Sequence, residues 1–400
     1  MDPLTFPQAR QFVLTRVRDF YTPPAIETVD LLSARERILA EEIAADRDMP
    51  PTARSVRDGF ALRAADVAEG TVWLNAIGES RAGESFGGSV GPGEAVEIMT
   101  GAVMPDGADA VVMVEHVERD GTRVKVAGPV EARQFVNRQG CEAQAGEVIL
   151  KPGIRLDYAA IAMLAAFGRT RVQVYSKPAV AILATGDEIV PLEKTPREFE
   201  IRNSNAYSLA VQVMRAGGVP KILPVARDTM EHTAQMIELG LRSDLLLLSG
   251  GVSAGKYDVV ENVLSKLGAE FFFDRVLIQP GQPVVFGRVQ ERFFFGLPGN
   301  PSSTMVTFEI FARAALETLA GQSEITLRMP VARLTHTFRH RPGITRFLPA
   351  RLSSDGSEVT PVSWQGSGDV PALTRANGYL VAQPDKAVYE TGETIQVLPK

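Results

Sequence analysis

Cysteine is almost absent from this sequence: Cys141 stands alone among 400 residues. That excludes an internal disulfide framework and any multi-cysteine zinc site. Histidine is nearly as scarce, and His116, His232, His336 and His340 show no metal-ligand spacing. There is no stripe of positive charge either. Lys and Arg number 42 against 48 Asp and Glu, scattered along the chain, so no nucleic-acid partner is expected. No apolar run is long enough for a membrane. The longest apolar helical stretch, 158–167, is about half of what a bilayer span requires. Met1-Asp2-Pro3 leads directly into an amphipathic pattern, so no leader peptide is expected and the cytoplasm is the expected compartment. Internal repeats and low-complexity linkers are also missing.

What is present is globular: 45% hydrophobic and 22% charged residues, in a chain long enough for about two to four domains. Its focal stretch is 244–258. An apolar run, Leu245 to Leu248, breaks into Ser249-Gly250-Gly251-Val252-Ser253-Ala254-Gly255 and resumes as Val259, Val260, Val263, Leu264 and Leu267 at helical spacing. That pattern reads as strand, loop and helix of a parallel α/β sheet, which binds ligands beyond the carboxyl ends of its strands. Gly250, Gly251 and Gly255 permit tight turning, and Ser253 can donate to an anion. The plainer reading is a glycine-rich turn without a ligand. Gly250 to Lys256 also fits seven positions of the P-loop, but the eighth is Tyr257, whose phenol reaches past the point where a small hydroxyl would meet Mg²⁺. A phosphate or oxyanion loop of another kind is preferred.

Along the chain, Phe12, Val13, Val17 and Phe20 predict a first helix, and 34–45 predicts a second. Segments 71–77, 95–100 and 110–117, with a hairpin at Asp120-Gly121, predict an inserted β domain. A helix follows from Asp157 to Gly168. From 177 onward strands at 179–184, 219–225 and 244–248 alternate with helices at 204–216 and 229–241, the signature of a doubly wound parallel sheet. Further strands at 270–278, 284–289 and 293–296 lead through Leu297-Pro298-Gly299-Asn300-Pro301 into a helix at 302–320, whose first amides are expected to be free for a ligand. Short strands and turns from 329 to 400 predict a small β-barrel. The expected domains are 1–48 with 141–176 (helical, linking), 49–140 (inserted β), 177–327 (α/β) and 328–400 (barrel).

Acidic residues follow the α/β strands: Asp187 and Glu188, then Asp228, then Asp258. Singly, Asp228 and Asp258 read as residues placed for a helix dipole. Together Glu188, Asp228 and Asp258 can hold Mg²⁺ against a phosphate.

These stretches, with Thr185-Gly186-Asp187-Glu188, Pro280-Gly281-Gln282-Pro283, Met99-Thr100-Gly101-Ala102, Ser55-Val56-Arg57-Asp58-Gly59-Phe60 and Gln365-Gly366-Ser367-Gly368, resemble the molybdopterin molybdenumtransferases, the MoeA and gephyrin E-domain family. The resemblance covers the whole chain in order. It implies a multidomain α/β plus β architecture: a central MogA-like α/β domain, an inserted β domain, a helical and extended linking domain, and a small C-terminal barrel. It also implies a homodimer with active sites shared between subunits, so that Asp58 and Thr100 come from the partner copy. The implied reaction is Mg²⁺-dependent cleavage of molybdopterin adenylate, with AMP release and insertion of molybdate into the dithiolene. Glu188, Asp228 and Asp258 would serve Mg²⁺ and catalysis. Gly250, Gly251, Ser253, Gly255, Pro298, Asn300 and Pro301 would hold the substrate phosphate. The enzyme that makes molybdopterin adenylate and the recipient molybdoenzymes are the implied partners.

Departures from the family pattern fall where molybdate would bind. Gln279 and Gln282 stand where lysines are usual, and in Gly343-Ile344-Thr345-Arg346-Phe347 Arg346 lies between the two usual arginine places. Arg54 and Asn203 replace an asparagine and an aspartate. The resemblance implies an oxyanion set of Gln279, Gln282, Arg346 and Ser367, the last matching a serine of the family. Charge-assisted hydrogen bonds are about twice as strong as neutral ones, so each lost lysine costs on the order of 1–2 kcal/mol. Arg346, Lys256 or Arg54 could compensate. Two readings follow: a molybdenum transferase, or a paralogue that binds molybdopterin adenylate as carrier, scaffold or regulator without inserting metal.

Overall fold

A leucine run without polar alternation requires cover on both faces, and every residue of the strand Leu245–Ser249 is buried. In the computed structural model, which describes residues 2–250 and 259–400, this strand lies between parallel neighbours Ala179–Ala184 and Arg292–Leu297. Side chains alternate across it. Leu245 and Leu247 join a core with Ala206, Leu209 and Val213 of the helix Ser204–Arg215. Leu246 and Leu248 join another with Ile237 of the helix Met230–Gly240 and Val260, Val263 and Leu264 of the helix Val259–Lys266.

Val219–Ile222 adds a fourth parallel strand, while Val285–Val289 and Glu270–Phe273 complete the six-stranded sheet antiparallel. The antiparallel edge has a local cause. Only Gln290 and Glu291 separate two of the strands, both at positive φ (46° and 66°), which is hairpin geometry and far too short for a crossover.

The first helix is Phe6–Asp19, with Val13 and Val17 fully buried and Phe12 against Phe272 and Phe273. The second expected helix, over 34–45, does not form. Asp30 accepts hydrogen bonds from the Ser33 amide and hydroxyl, turning the chain. Ile38 and Leu39 then bridge to Arg155 and Val174, and Ile43–Ala44 pairs with Val148–Leu150, so the apolar residues are buried from extended backbone. At the C-terminus the strands 331–334, 345–352, 358–361, 378–382 and 394–399 close into a five-stranded barrel.

The chain divides into two compact units. One comprises Met1–Ala40, Pro152–Tyr158 and Arg171–Lys400; the other comprises Glu41–Lys151 and Ala159–Thr170. The second unit is built on a six-stranded sheet in the spatial order 110–113, 59–62, 94–98, 72–80, 123–126, 117–120. The hairpin expected at Asp120-Gly121 joins its last two strands, with Gly121 at φ 59°. No helix among the described residues is long and apolar enough to cross a membrane.

Candidate functional site

At the carboxyl end of the central strand the chain leaves Ser249 through Gly250, which has φ 91°. A Cβ there would sit 2.9 Å from the Thr185 carbonyl oxygen, so both the conformation and the close approach demand glycine. Thr185 in turn bridges to Ala226, which brings two acidic turns together. The Asp187 amide donates to Asp228 Oδ2 and the Asp228 amide to Asp187 Oδ1, each at 3.4 Å. The Glu188 carboxylate folds back over Gly186, where a Cβ would meet Glu188 Oε2 at 2.5 Å.

A cleft of about 420 Å³ opens over these strand ends. It is lined by Thr185, Glu188, Ser249 and Gly250 on one side, and by Arg202, Asn205 and the Pro298–Pro301 turn on the other. Asn205 ties the sides together, since its Nδ2 donates to Ser249 Oγ (3.1 Å) and to the Gly299 carbonyl (2.7 Å). Thr304 Oγ1 donates to the Pro298 carbonyl, stapling the same turn to the helix that follows. Pro301 occupies the first helical turn, and the Asn300 side chain makes no capping bond. The first amides of this helix are less open than the sequence suggests. Pro301 has none, and the Ser302 amide donates to the Ser367 carbonyl at 2.9 Å.

That bond places Ser367, 65 residues downstream of Ser302, beside the Asn300–Pro301 turn. Gln279 and Arg346 are also brought together, as register partners where Ile278–Gln279 pairs with the barrel strand Thr345–Leu352. Arg346 Nε donates to the Arg341 carbonyl. Gln282 is exposed, its carbonyl accepting from the Val276 amide. Gly251, Ser253, Gly255, Lys256 and Asp258 lie outside the described residues. Among the described residues no three His, Cys, Asp or Glu side chains form a metal-holding group.

In the other unit, Asp58 and Thr100 meet at one point. The Thr100 amide and hydroxyl both donate to Asp58 Oδ1, at 2.6 and 2.8 Å. These two bonds, the amide first, hold the Asp58 carboxyl below its ordinary pKa. Gly59 is obligatory, because a Cβ there would lie 1.8 Å from the Val112 carbonyl oxygen.

The chain's similarities agree with this arrangement. Residues 4–168 match the MoeA N-terminal region (domain I and II), 181–318 a probable molybdopterin binding domain, and 331–400 the MoeA C-terminal region (domain IV). The molybdopterin molybdenumtransferase of Bacillus subtilis is 34% identical over 394 residues, covering 96% of this chain and 92% of that protein. The chain belongs to the molybdopterin molybdenumtransferase family. A Staphylococcus aureus molybdopterin molybdenumtransferase is 32% identical over 382 residues, covering 94% of this chain and 91% of its own. A molybdopterin biosynthesis MoeA protein from Pyrococcus horikoshii, 28% identical, has the same fold with a TM-score of 0.81 and 100% of both chains covered. The protein is accordingly a transferase of molybdenum cofactor biosynthesis.

Against that family pattern, the exchange of aspartate for Asn203 is structurally mild. Its side chain caps the helix Ser204–Arg215 by accepting from the Ala206 amide (3.2 Å), as an aspartate would. The glutamines are different, since Gln279 and Gln282 leave Arg346 as the single cation among the four oxyanion residues named above. Asn205, Thr304 and Arg202 escaped sequence reasoning. Asn205 had a visible signal, a side chain that is both donor and acceptor placed one residue into a helix that starts at a strand end.

Proposed function

We propose that this molybdopterin molybdenumtransferase family member cleaves molybdopterin adenylate with Mg²⁺, releases AMP and inserts molybdate into the dithiolene. The observation that carries the reading is the single cleft that joins Glu188, Gly250, Asn205 and the Pro298–Pro301 turn at the carboxyl ends of parallel strands. Mg²⁺ binds proteins through one or two carboxylates plus substrate phosphate and water, so Glu188, with Asp228 beside it and Asp258 as a further candidate, fits that donor set. Bound there, the ion would neutralise charge on the phosphate. The chain's own residues do the rest. Gly250 lets the backbone approach the phosphate, Asn205 and Thr304 hold the Pro298–Pro301 turn in place, and Asn300 presents an amide that makes no capping bond.

Molybdate is the second substrate, and Gln279, Arg346, Ser367 and Gln282 are proposed to receive it. The Gln279–Arg346 register and the Ser367–Ser302 bond support that grouping. A homodimer completes the reading, with Asp58 and Thr100 of a second copy at the reacting bond. Asp58, held ionised by Thr100, suits the orientation of a water or a cation. The four-domain division at 1–48 with 141–176, 49–140, 177–327 and 328–400 belongs to the same proposal.

The neutral Gln279 and Gln282 favour a second reading, a protein that keeps the adenylate site and has lost efficient metal insertion. Incubating the purified chain with molybdopterin adenylate and Mg²⁺, with and without molybdate, separates the two. Molybdate-stimulated AMP release supports the transferase. Tight adenylate binding without stimulated release supports the second reading, and no binding at all contradicts both.

A further inference from the structure

A nucleotide phosphate needs a positive partner, and the described cleft offers only one. Of the described residues lining it, Glu188 and Arg202 alone carry charge. Arg202 sits in the short strand Ile201–Arg202, which pairs with Ile189–Val190 just beyond Glu188. Its Nε donates to the Leu192 and Lys194 carbonyls, at 2.9 and 3.2 Å. Those two bonds fix the root of the guanidinium and leave its two terminal amino groups for other partners.

The nearby acid does not neutralise it. Glu200 is already claimed by Lys194 Nζ at 2.9 Å and Arg197 Nη2 at 2.6 Å, and these bonds, the Arg197 side chain first, pull its pKa down to about 2. Glu188 shares the cleft without an ion pair to Arg202 among the described residues. Among the described residues Arg202 is therefore a backbone-braced guanidinium without an ion-pair partner, in the lining of the cleft that also holds Gly250. A planar fork of donors on a braced stem is the geometry that recognises phosphate oxygens in pairs.

We propose that Arg202 binds the phosphoryl oxygens of the adenylated substrate and of the AMP that leaves. The inference rests on the reading of this cleft as the adenylate site, and it assigns the phosphate's charge partner to the α/β domain rather than to the barrel edge. It also bears on the missing lysines, since phosphate affinity would then not depend on Gln279 or Gln282.

The test is titration of AMP and of molybdopterin adenylate into the full-length protein at low and high salt, for the wild type, Arg202→Gln, Arg202→Lys and Arg197→Gln. Arg202→Gln is expected to weaken both ligands about tenfold, as loss of one charge-assisted bidentate contact implies. It should also flatten the salt dependence of binding. Arg202→Lys should restore part of the affinity and the salt dependence, which a merely structural brace for residues 192–194 would not show. Arg197→Gln removes an equal charge from the same segment but leaves Glu200 with Lys194, so it should weaken binding far less than Arg202→Gln, and an equal loss in the two variants would overturn the phosphate assignment. Wild-type affinity in Arg202→Gln would overturn the inference and leave the function standing. An Arg202→Gln effect on the molybdate requirement alone, with adenylate binding intact, would overturn the phosphate assignment. Absence of nucleotide binding by the wild type would overturn the function and the inference together.

Discussion

The strand-end cleft and the oxyanion group proposed at the barrel edge are built on different principles. In the cleft, position is enforced by backbone: Gly250 has no room for a Cβ, Asn205 clamps the Gly299 carbonyl, and Thr304 holds the Pro298 carbonyl. At the barrel edge, position comes from one short parallel pairing, Ile278–Gln279 with Thr345–Arg346, and the chemistry is left to side chains. Backbone-enforced geometry tolerates little change, whereas side-chain charge can be exchanged without disturbing the fold. In the cleft the one departure noted above, Asn203, keeps its helix-capping bond, whereas at the barrel edge Gln279 and Gln282 are neutral.

The largest expected effect lies in the cleft. Gly250→Val places a branched side chain at positive φ against the Thr185 carbonyl, and should weaken adenylate binding about a hundredfold, near the ~3 kcal/mol upper end for a strained residue. Titration calorimetry with a thermal melt as the folding control would measure it. Retained affinity would break the claim that backbone approach makes the site. Thr304→Val keeps shape but removes the staple to Pro298. We expect a loss of about 1–2 kcal/mol, read as roughly five- to thirtyfold weaker adenylate binding and a lower Tm.

The Asp58–Thr100 pair offers a test in pH. Because the folded-state pKa of Asp58 is lowered, the ionised form's contribution is complete above the ordinary carboxylate value of 3.8 and fades as pH falls through the lowered one. Thr100→Val removes the hydroxyl donor while keeping the amide, so the Asp58 pKa should rise part of the way back. NMR titration of the carboxyl, and an acid limb of AMP release displaced to higher pH, are the two readouts. The smallest effect should be Asn203→Asp, within about 0.5 kcal/mol in Tm-derived stability, because both side chains cap a helix about equally well.

Much of this was legible in advance where a local rule was in control. Leucine continuity marked the central strand, and Asp120-Gly121 marked a hairpin that formed. The failures share a physical cause, dependence on partners distant in sequence. The 34–45 segment has helical spacing but is captured as extended backbone by Arg155, Val174 and Val148–Leu150. In the site, the Ser302 amide looked free because its acceptor is Ser367, and the role of Arg202 depends on Glu200 being occupied by other cations.

The central claim is that the adenylate half of the site is intact and the oxyanion half is limited by charge. It is tested most directly by the molybdate concentration giving half-maximal AMP release, in the wild type and in Gln279→Lys with Gln282→Lys. At about 1–2 kcal/mol per restored charge-assisted bond, the account predicts a fall of tens- to hundreds-fold in that concentration, with adenylate affinity unchanged. An unaltered molybdate requirement in the double variant would contradict it.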